Sequence, residues 1–311
     1  MVVAGFAGHQ LGARPGPVSL ASGTSMTIDN PYAAGGFWYK GNLQIASVRG
    51  IGRDLPSAIG DWYRGHGYDF LGISDQNTYT WSSEYGRAEF AGVPTVDASY
   101  PFADVLAVGI DHWLPADNLQ GAIDWIGQDG GLSVLAAPLA SAKPQKTRQL
   151  LSLHGLFGLE VFDARLAAIS PRQADATAIW DQTLTAGNHV YAFAGDDGLS
   201  LDDPSVGRAW INVLAPAPDL DSLFSSLRAG AFTASTGAVF IGLSVHGSTI
   251  TAEAAPGSSL RFIGRGGRVL KSIASPTGSY RVTGDEGYVR VEALRDDGGR
   301  AWSQPFFLTR R

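Results

Sequence analysis

Between residues 38 and 197, short apolar segments alternate with amphipathic ones, and this order restricts the chain to few folds. The first unit has a strand-like segment at 38–47, an amphipathic helical segment at 55–67 and an apolar strand at 68–77. Strands separated by helices indicate a parallel sheet covered by helices, and the number of units favours a barrel. The later predicted strands are 104–111, 132–138, 158–164 and 189–197, and the later helices are 118–131, 146–156 and 171–187.

The pattern changes after a last predicted helix and a glycine-rich turn at 219–237. From residue 238 to 311, period-two strands are broken by Gly, Asp and Pro, which predicts a small antiparallel β-sandwich. Residues 1–36 are rich in Gly, Pro, Ser and Ala and are predicted to be an extended lead-in. The expected organisation is therefore a lead-in at 1–36, a barrel at 37–237 and a sandwich at 238–311.

Charge and composition exclude several classes of function. The net charge is −6 and no dense run of Lys or Arg is present, which argues against nucleic acid or an anionic membrane surface as a partner. The chain has no cysteine, so thiolate metal sites, disulfides and a cysteine nucleophile are excluded. No stretch has the length and apolarity of a membrane span or a signal peptide, so we expect a cytoplasmic protein or a trimmed secreted form.

Carboxylates and amides dominate the ends of the predicted strands, where barrels place their chemistry. Hydrolytic metal sites usually combine imidazoles with carboxylates, yet none of the six histidines is at one of these ends. His112, which follows a strand beside Asp111, is the histidine that we expect to reach a pocket. The strand-end residues are Gln44, Ser47, Asp75, Gln76, Asn77, Asp97, Ser99, Asp104 or Asp111, Glu160, Asp163, Asp196 and Asp197.

Six ordered blocks resemble the PHP (polymerase and histidinol phosphatase) superfamily, and within it the CehA/McbA-type metallohydrolases. The resemblance extends from Phe37 to the end of the chain and includes the C-terminal sandwich. It implies an α/β fold, a distorted (β/α)7 barrel, two or three bound metal ions and hydrolysis of phosphate or related esters. The blocks are 38–47, 58–77, 132–138, 155–164, 190–197 and 223–237.

The resemblance fails at the metal ligands. The family pattern N-L-H-x-H-S is replaced by residues 42–47, with Gln44 and Ala46 at the histidine positions. The histidine of D-H-N is Gln76, that of L-A-H-P is Ala137 and that of D-D-x-H is Leu199. All five histidine positions are therefore filled by residues that do not ligate transition metals, and we predict neither a metal centre nor a cofactor. Asp97 is near the place of a carboxylate that the family carries after its third strand.

Aromatic side chains are expected around the same strand ends. Tyr79 and Trp81 follow Asp75 in one loop, together with Glu84 and Tyr85. An acidic cleft lined by aromatic rings suits a sugar, a cationic or polycyclic small molecule, or a hydrophobic partner. We therefore expect a small-molecule ligand in a pocket formed by Gln44, Ser47, Gln76, Asn77, Tyr79, Trp81, Asp97 and His112.

Two main functions are compatible with these residues. In the first, the chain is a pseudoenzyme that binds a ligand or partner in its pocket or on its surface. In the second, the pocket performs metal-free acid–base chemistry such as a cyclisation, isomerisation or lyase step, with Asp75 paired with Asp196 or Asp197 and with Gln44 and Asn77 as orienting groups. A weak Mg²⁺-dependent phosphoesterase is a further alternative, because carboxylates alone can bind Mg²⁺.

Overall fold

The structure is a computed structural model that describes residues 18–19, 25–112, 115–140 and 148–310. Its secondary structure in these residues consists mainly of strands. The first twelve strands are β1 Val18–Ser19, β2 Ser25–Ile28, β3 Phe37–Asn42, β4 Phe70–Leu71, β5 Ala91–Gly92, β6 Thr95–Ser99, β7 Asp104–Val108, β8 Leu132–Ala136, β9 Gly158–Asp163, β10 Tyr191–Gly195, β11 Trp210–Ala215 and β12 Phe232–Ser235. The others are β13 Phe240–His246, β14 Thr249–Ala254, β15 Ser258–Gly264, β16 Arg268–Ile273, β17 Thr277–Arg281, β18 Tyr288–Arg295, β19 Arg300–Ser303 and β20 Phe306–Arg310. The helices are α1 Pro56–Gly65, α2 Leu119–Gln128, α3 Ala164–Ile169, α4 Thr177–Thr185 and α5 Leu220–Arg228.

Side-chain caps and proline set several of the helix starts. Pro56 occupies the first turn of α1, where its missing N–H costs no helical hydrogen bond. Asn118 caps α2 by accepting from the Gly121 N–H at 2.9 Å. Asp163 and Asp219 cap α3 and α5 in the same way, through the N–H of Leu166 and of Ser222.

The strands of the predicted barrel region form parts of two sheets. One sheet has the order β10-β9-β8-β7-β6, and β3, β4 and β5 lie side by side at the end of the larger sheet. Two isolated parallel bridges connect these groups, between Ile45 and Gly198 and between Gln76 and Asp97. The strands β3, β4, β6, β7, β8, β9 and β10 are therefore linked in a ring by ladders and by these two bridges.

The ring departs from a regular (β/α)7 barrel, which is a correction to the expected parallel sheet. The strands β8, β9 and β10 are parallel, but β6, β7 and β8 are antiparallel neighbours. The loop at 100–103 between β6 and β7 is too short for the crossover that a parallel pair requires, so these two strands form a hairpin. The fold is a mixed α/β arrangement of several sheets with few helices.

The C-terminal strands are antiparallel, as the period-two pattern predicts. The strands β13, β14 and β17 form a three-stranded sheet, whereas β15, β16, β18, β19 and β20 join the large sheet. Side chains of both sheets pack in one cluster that includes Val245, Ile250, Phe262, Val291 and Phe306. Burial of this apolar surface is the main favourable term for these strands.

Hydrogen bonding continues across both predicted domain boundaries. The strand β12 pairs with β19, which joins residues before and after 237, and β2 within the predicted lead-in pairs with β20. Most of the predicted lead-in, at 1–17 and 20–24, lies outside the described residues. Residues 146–147 of the helix predicted at 146–156 also lie outside them, whereas residues 148–150 are helical. The division at 36 and 237 stays a prediction. Among the described helices, none combines the length and the apolarity needed to cross a membrane.

Candidate site at the strand ends

The register of β8, β9 and β10 brings one group of polar side chains together. Asp163 pairs with Gly195 at the ends of β9 and β10, and Glu160 lies three residues earlier on β9, before a register shift in the pairing. The Ala137 N–H, just beyond β8, donates to Glu160 Oε2 at 2.7 Å. A Cβ on Gly195 would lie 2.5 Å from Gln44 Oε1 and 3.0 Å from Glu160 Oε1, so Gln44 and Glu160 approach the same point.

The hairpin of β6 and β7 supplies two more carboxylates. Asn77 donates its N–H to the Asp97 carbonyl at 2.7 Å, and its Oδ1 accepts from the Ser99 N–H at 3.0 Å. Ser99 Oγ in turn donates to Asp104 Oδ1 at 2.7 Å. Asn77 and Gln76 therefore attach the end of β4 to β6, beside Asp97.

We call this group the carboxylate site. Among the described residues, Arg165 is the basic residue of the site. Its Nε donates to Asp197 Oδ2 at 2.7 Å and forms an ion pair with that carboxylate. Asp197 and Arg165 are partly exposed, with 20% and 34% of their side-chain surface accessible, so the site reaches the surface at this point. Its members are Gln44, Asp97, Asp104, Glu160, Asp163, Arg165 and Asp197.

Burial and mutual repulsion favour the protonated forms of these carboxyls. Burial raises the pKa of Glu160 well above its usual value, and the charges of Asp163 and Asp197 add to this. Burial also raises the pKa of Asp97, with further contributions from Asp104 and Asp197. The pKa of Asp163 is raised to about 7 by burial and then by the Asp197 charge. The pKa of Asp197 is raised by burial, and Arg165 opposes this effect.

Several buried oxygens of the carboxylate site have no hydrogen-bond partner among the described residues. They are Gln44 Oε1, Asp97 Oδ1, Glu160 Oε1 and Asp163 Oδ2. Three of these side chains are almost completely buried, with exposures of 5% for Gln44, 2% for Glu160 and 1% for Asp163. An unpaired polar group in a protein interior costs about 1–3 kcal/mol, so such a cluster is unusual unless a proton or a ligand fills it.

Asp75 lies in a different network from the carboxylate site. Its carboxylate accepts from the Ser47 N–H and from Ser47 Oγ, each at 2.6 Å, and from Thr80 Oγ1. Gly50 lies so close that a Cβ there would be 2.7 Å from Asp75 Oδ1. Asp75 therefore fixes the loop that follows β3, and Ser47 is its main partner.

Asp196 is also committed to local structure. It accepts from the Tyr63 hydroxyl at 2.6 Å and from the N–H groups of Gly207, Arg208 and Ala209 at 2.8–2.9 Å. Burial raises its pKa, and these four donors oppose the rise. Asp75 and Asp196 thus have separate hydrogen-bond partners among the described residues. The expected acid–base pairing of Asp75 with Asp196 or Asp197 stays a prediction.

The aromatic candidates and the histidine candidate are at two different places. Tyr79 is partly buried against the core and meets Trp81 edge-on at 5.3 Å, whereas Trp81 is 63% exposed. His112 is at the opposite end of β7, because antiparallel pairing sets the end of β7 beside the start of β8. Its ring contacts Asp111 at 2.9 Å and Asp129 at 3.3 Å.

Backbone strain is concentrated at the carboxylate end of the sheets. Three non-glycine residues in the described ranges have positive φ: Asn77 at 55°, Ala137 at 40° and Asp197 at 47°. Each is beyond a strand end, and each is a neighbour or member of the carboxylate site. Such conformations cost roughly 1–3 kcal/mol and persist where the surroundings enforce them, typically at functional sites.

The donor set does not fit the transition-metal centre that the resemblance implies. Zn²⁺ and Mn²⁺ hydrolytic sites use imidazole nitrogen together with carboxylate oxygen, and the carboxylate site offers oxygen alone. In the part of the chain that the structure describes, no three His, Cys, Asp or Glu side chains form a group that could hold a metal ion. The carboxylates of the described residues therefore do not converge on a single point.

Of the members of the carboxylate site, the sequence singles out Gln44, Asp97 and Asp197 as candidate pocket or acid–base residues. It offers Asp104, Glu160 and Asp163 only as strand-end residues, and it does not single out Arg165. Glu160, Asp163 and Arg165 are in the segment G-L-E-V-F-D-A-R, where a strand ends and a helix begins. Glutamate within a buried strand was the available signal, because such a residue is rarely buried without a partner.

Comparisons with known proteins identify no family. No family model matches the chain, and no curated protein matches it. A two-domain protein from Bacteroides vulgatus containing a predicted PHP-like metal-dependent phosphoesterase is similar over 95% of this chain and 100% of that one, with 11% identity and a TM-score of 0.47. An amidohydrolase from Chromobacterium violaceum, with bound sulfate and no metal, is similar over 52% of this chain and 88% of that one, with 13% identity and a TM-score of 0.41. Similarity at this level assigns neither a family nor an activity.

Proposed function

We propose that the chain is a degenerate PHP-superfamily protein of the CehA/McbA type, and that its carboxylate site binds a small molecule in place of metal ions. The observation that carries this proposal is the set of buried acceptor oxygens without partners at Gln44, Glu160 and Asp163. Buried acceptors of this kind are satisfied when a ligand donates hydrogen bonds to them. The block resemblance supports the family, and the replacement of all five histidines supports the loss of its metal chemistry.

The positions of Asp75 and Asp196 support scaffold roles for both. Each accepts at least three hydrogen bonds from loops that border the site, and neither offers a free oxygen to a ligand. The proposed binding residues are therefore Gln44, Asp97, Glu160, Asp163 and Asp197, with Tyr79 and Trp81 near the mouth.

A metal-free acid–base reaction is the second candidate function. It is favoured by Asp163, whose pKa of about 7 is close to the value at which a carboxyl group both donates and accepts protons efficiently at neutral pH. Glu160 lies on the same strand and is also held largely protonated by burial, so Glu160 and Asp163 replace Asp75 and Asp196 as the acid–base pair of this candidate.

The test combines a ligand screen with a turnover screen on the full chain. Phosphate and carboxylate esters are assayed with added Mn²⁺, Zn²⁺ or Mg²⁺, and small molecules of all charge classes are scored by thermal shift. Glu160→Gln removes an ionisable carboxyl group of the site, and Asp111→Asn is the matched control at the opposite end of β7.

We expect at least one compound to raise the melting temperature of the native chain and of Asp111→Asn, but not of Glu160→Gln. We expect no metal-dependent hydrolysis that Glu160→Gln abolishes. Robust hydrolysis with one of the metals, lost in Glu160→Gln and kept in Asp111→Asn, would contradict the proposal; with Mg²⁺ it would restore the weak phosphoesterase alternative.

A further inference from the structure

The carboxylate site holds more carboxyl groups than basic groups, so its carboxyls can all ionise only if a further cation is present. Five acids are electrostatic neighbours there, namely Asp97, Asp104, Glu160, Asp163 and Asp197. Arg165 is the basic group that contacts them in the described ranges, and it is already paired with Asp197. An anionic ligand such as a phosphate would add to the repulsion, whereas a cation would remove it.

When the carboxyls of the site are ionised, its buried unpartnered atoms are all acceptors. The amide oxygen of Gln44 and the carboxylate oxygens of Asp97, Glu160 and Asp163 require N–H or O–H donors. A protonated amine carries three donors and no acceptor, so it matches this set in both charge and hydrogen bonding. The side chains form no metal-holding group within the described residues, so their spacing suits a polyatomic cation better than a bare ion.

Exposed apolar side chains are present in the loops at the same end of the strands. Ile51 and Leu55 follow β3, Trp81 follows β4 and Phe102 follows β6; each is more than half exposed. An ion pair of 2.6 Å between Arg49 and Glu84 holds the first two of these loops together. Exposed aromatic and aliphatic groups around a polar interior commonly mark a ligand-binding site.

We infer that the ligand of the carboxylate site is an organic ammonium ion with an apolar or aromatic body, its nitrogen lying among Gln44, Glu160, Asp163 and Asp197 and its body lying against the apolar loops. This inference rests on the proposed binding function and adds the chemical class of the ligand. It requires that affinity depend on the positive charge and on the strand-end carboxylates together.

The test is calorimetric titration of the full chain with phenethylamine and with its neutral isostere phenethyl alcohol. Phenethylamine should bind saturably and at least about tenfold more tightly than the alcohol, because hydrogen bonds to charged groups contribute that much or more. Asp197→Asn and Glu160→Gln should each weaken the amine about tenfold or more, and Asp111→Asn should not change it. Trp81→Ala should weaken phenethylamine more than propylamine, which lacks the ring.

Different outcomes separate the inference from the proposed function. Equal affinity for the amine and the alcohol, or amine binding that neither site variant changes, would overturn the inference. A different result would leave the proposed function standing but show that the inferred ligand class is wrong. In that result, amines do not bind, whereas a neutral or anionic compound of the thermal-shift panel binds the native chain and does not bind Glu160→Gln. If MgCl₂ alone stabilises the chain through the same carboxylates, the site is an inorganic cation site and the inference is overturned. A folded Asp197→Asn variant, checked by circular dichroism, keeps the result interpretable where Glu160→Gln fails to fold.

Discussion

Substitution of Asp163 by Asn tests whether ionisation of the buried carboxyls in the carboxylate site lowers the free energy of unfolding. Asp163 is 1% exposed, and its pKa is raised from 3.8 to about 7 by burial and by the Asp197 charge, with Glu160 as a further acidic neighbour and Arg165 as the opposing cation. The folded chain therefore keeps a proton between about pH 4 and pH 7 that the unfolded chain releases. Stability from this group is complete below pH 4 and is lost as the pH rises through 7.

The magnitude follows from the two pKa values. One pKa unit corresponds to 1.36 kcal/mol, so the shift lowers the free energy of unfolding by about 4 kcal/mol at pH 8 and by about 2 kcal/mol at pH 5, relative to its value below pH 4. Asparagine cannot ionise, yet it caps a helix about as well as aspartate, so the hydrogen bond to the Leu166 N–H is kept. We expect Asp163→Asn to gain about 2–3 kcal/mol more stability at pH 8 than at pH 5.

Urea unfolding of the native chain and the variant at pH 5, 6, 7 and 8 measures this difference. Asp219→Asn is the matched control, because Asp219 also caps a helix, but it is exposed and its pKa is lowered by hydrogen bonds from Ser222. Both of its relevant pKa values are below pH 5, so its effect should be constant from pH 5 to 8. An equal effect of Asp163→Asn at pH 5 and pH 8 would refute the electrostatic reasoning.

Three further predictions concern the surroundings of the site. Ser47→Ala removes the hydroxyl donor to Asp75 and should cost about 1.5–3 kcal/mol in urea unfolding, with no direct effect on ligand contacts; an unchanged stability would show that Asp75 is not a scaffold residue. Gly195→Ala places a methyl group 2.5 Å from Gln44 Oε1, so it should lower stability by about 1–3 kcal/mol and weaken the amine in calorimetry, whereas unaltered affinity would place the ligand elsewhere. Amine affinity should increase from pH 5.5 to pH 8 with release of protons to the buffer, because the carboxyls with raised pKa values must ionise to bind it; a flat pH profile would contradict this.

The regular part of the fold was accessible from the sequence because hydrophobic periodicity reports local burial. The strands β8, β9 and β10 and the helices α1 and α2 are within the segments that the pattern indicates. The parallel or antiparallel pairing of neighbouring strands could not be predicted from the sequence, because a buried apolar strand has the same residue pattern in both kinds of pair. The strands β11 and β12 were missed because they are short apolar runs among turn residues, without a helix to mark a unit.

The site was only partly accessible, for a related reason. Gln44, Asp97 and Asp197 stand at strand ends, where the sequence pattern places candidate site residues, and Asp97 and Asp197 are electrostatic neighbours. Asp75 and Asp196 stand at strand ends too, but the donors that surround them come from residues that are distant in sequence or at unpredictable loop positions, such as the Tyr63 hydroxyl 133 residues from Asp196. A strand-end position thus indicates where a carboxylate lies, whereas its free or bonded state depends on tertiary contacts.

The central claim is that the strand-end carboxylates form a site for a small molecule and not a transition-metal centre. Equilibrium dialysis against Zn²⁺ and Mn²⁺, followed by elemental analysis of the native chain and of Glu160→Gln, tests it most directly. Without imidazole ligands, we expect the native chain to retain far less than one equivalent of either metal after gel filtration, and no more than Glu160→Gln does. Retention of one or two equivalents per chain, lost in Glu160→Gln, would contradict the claim.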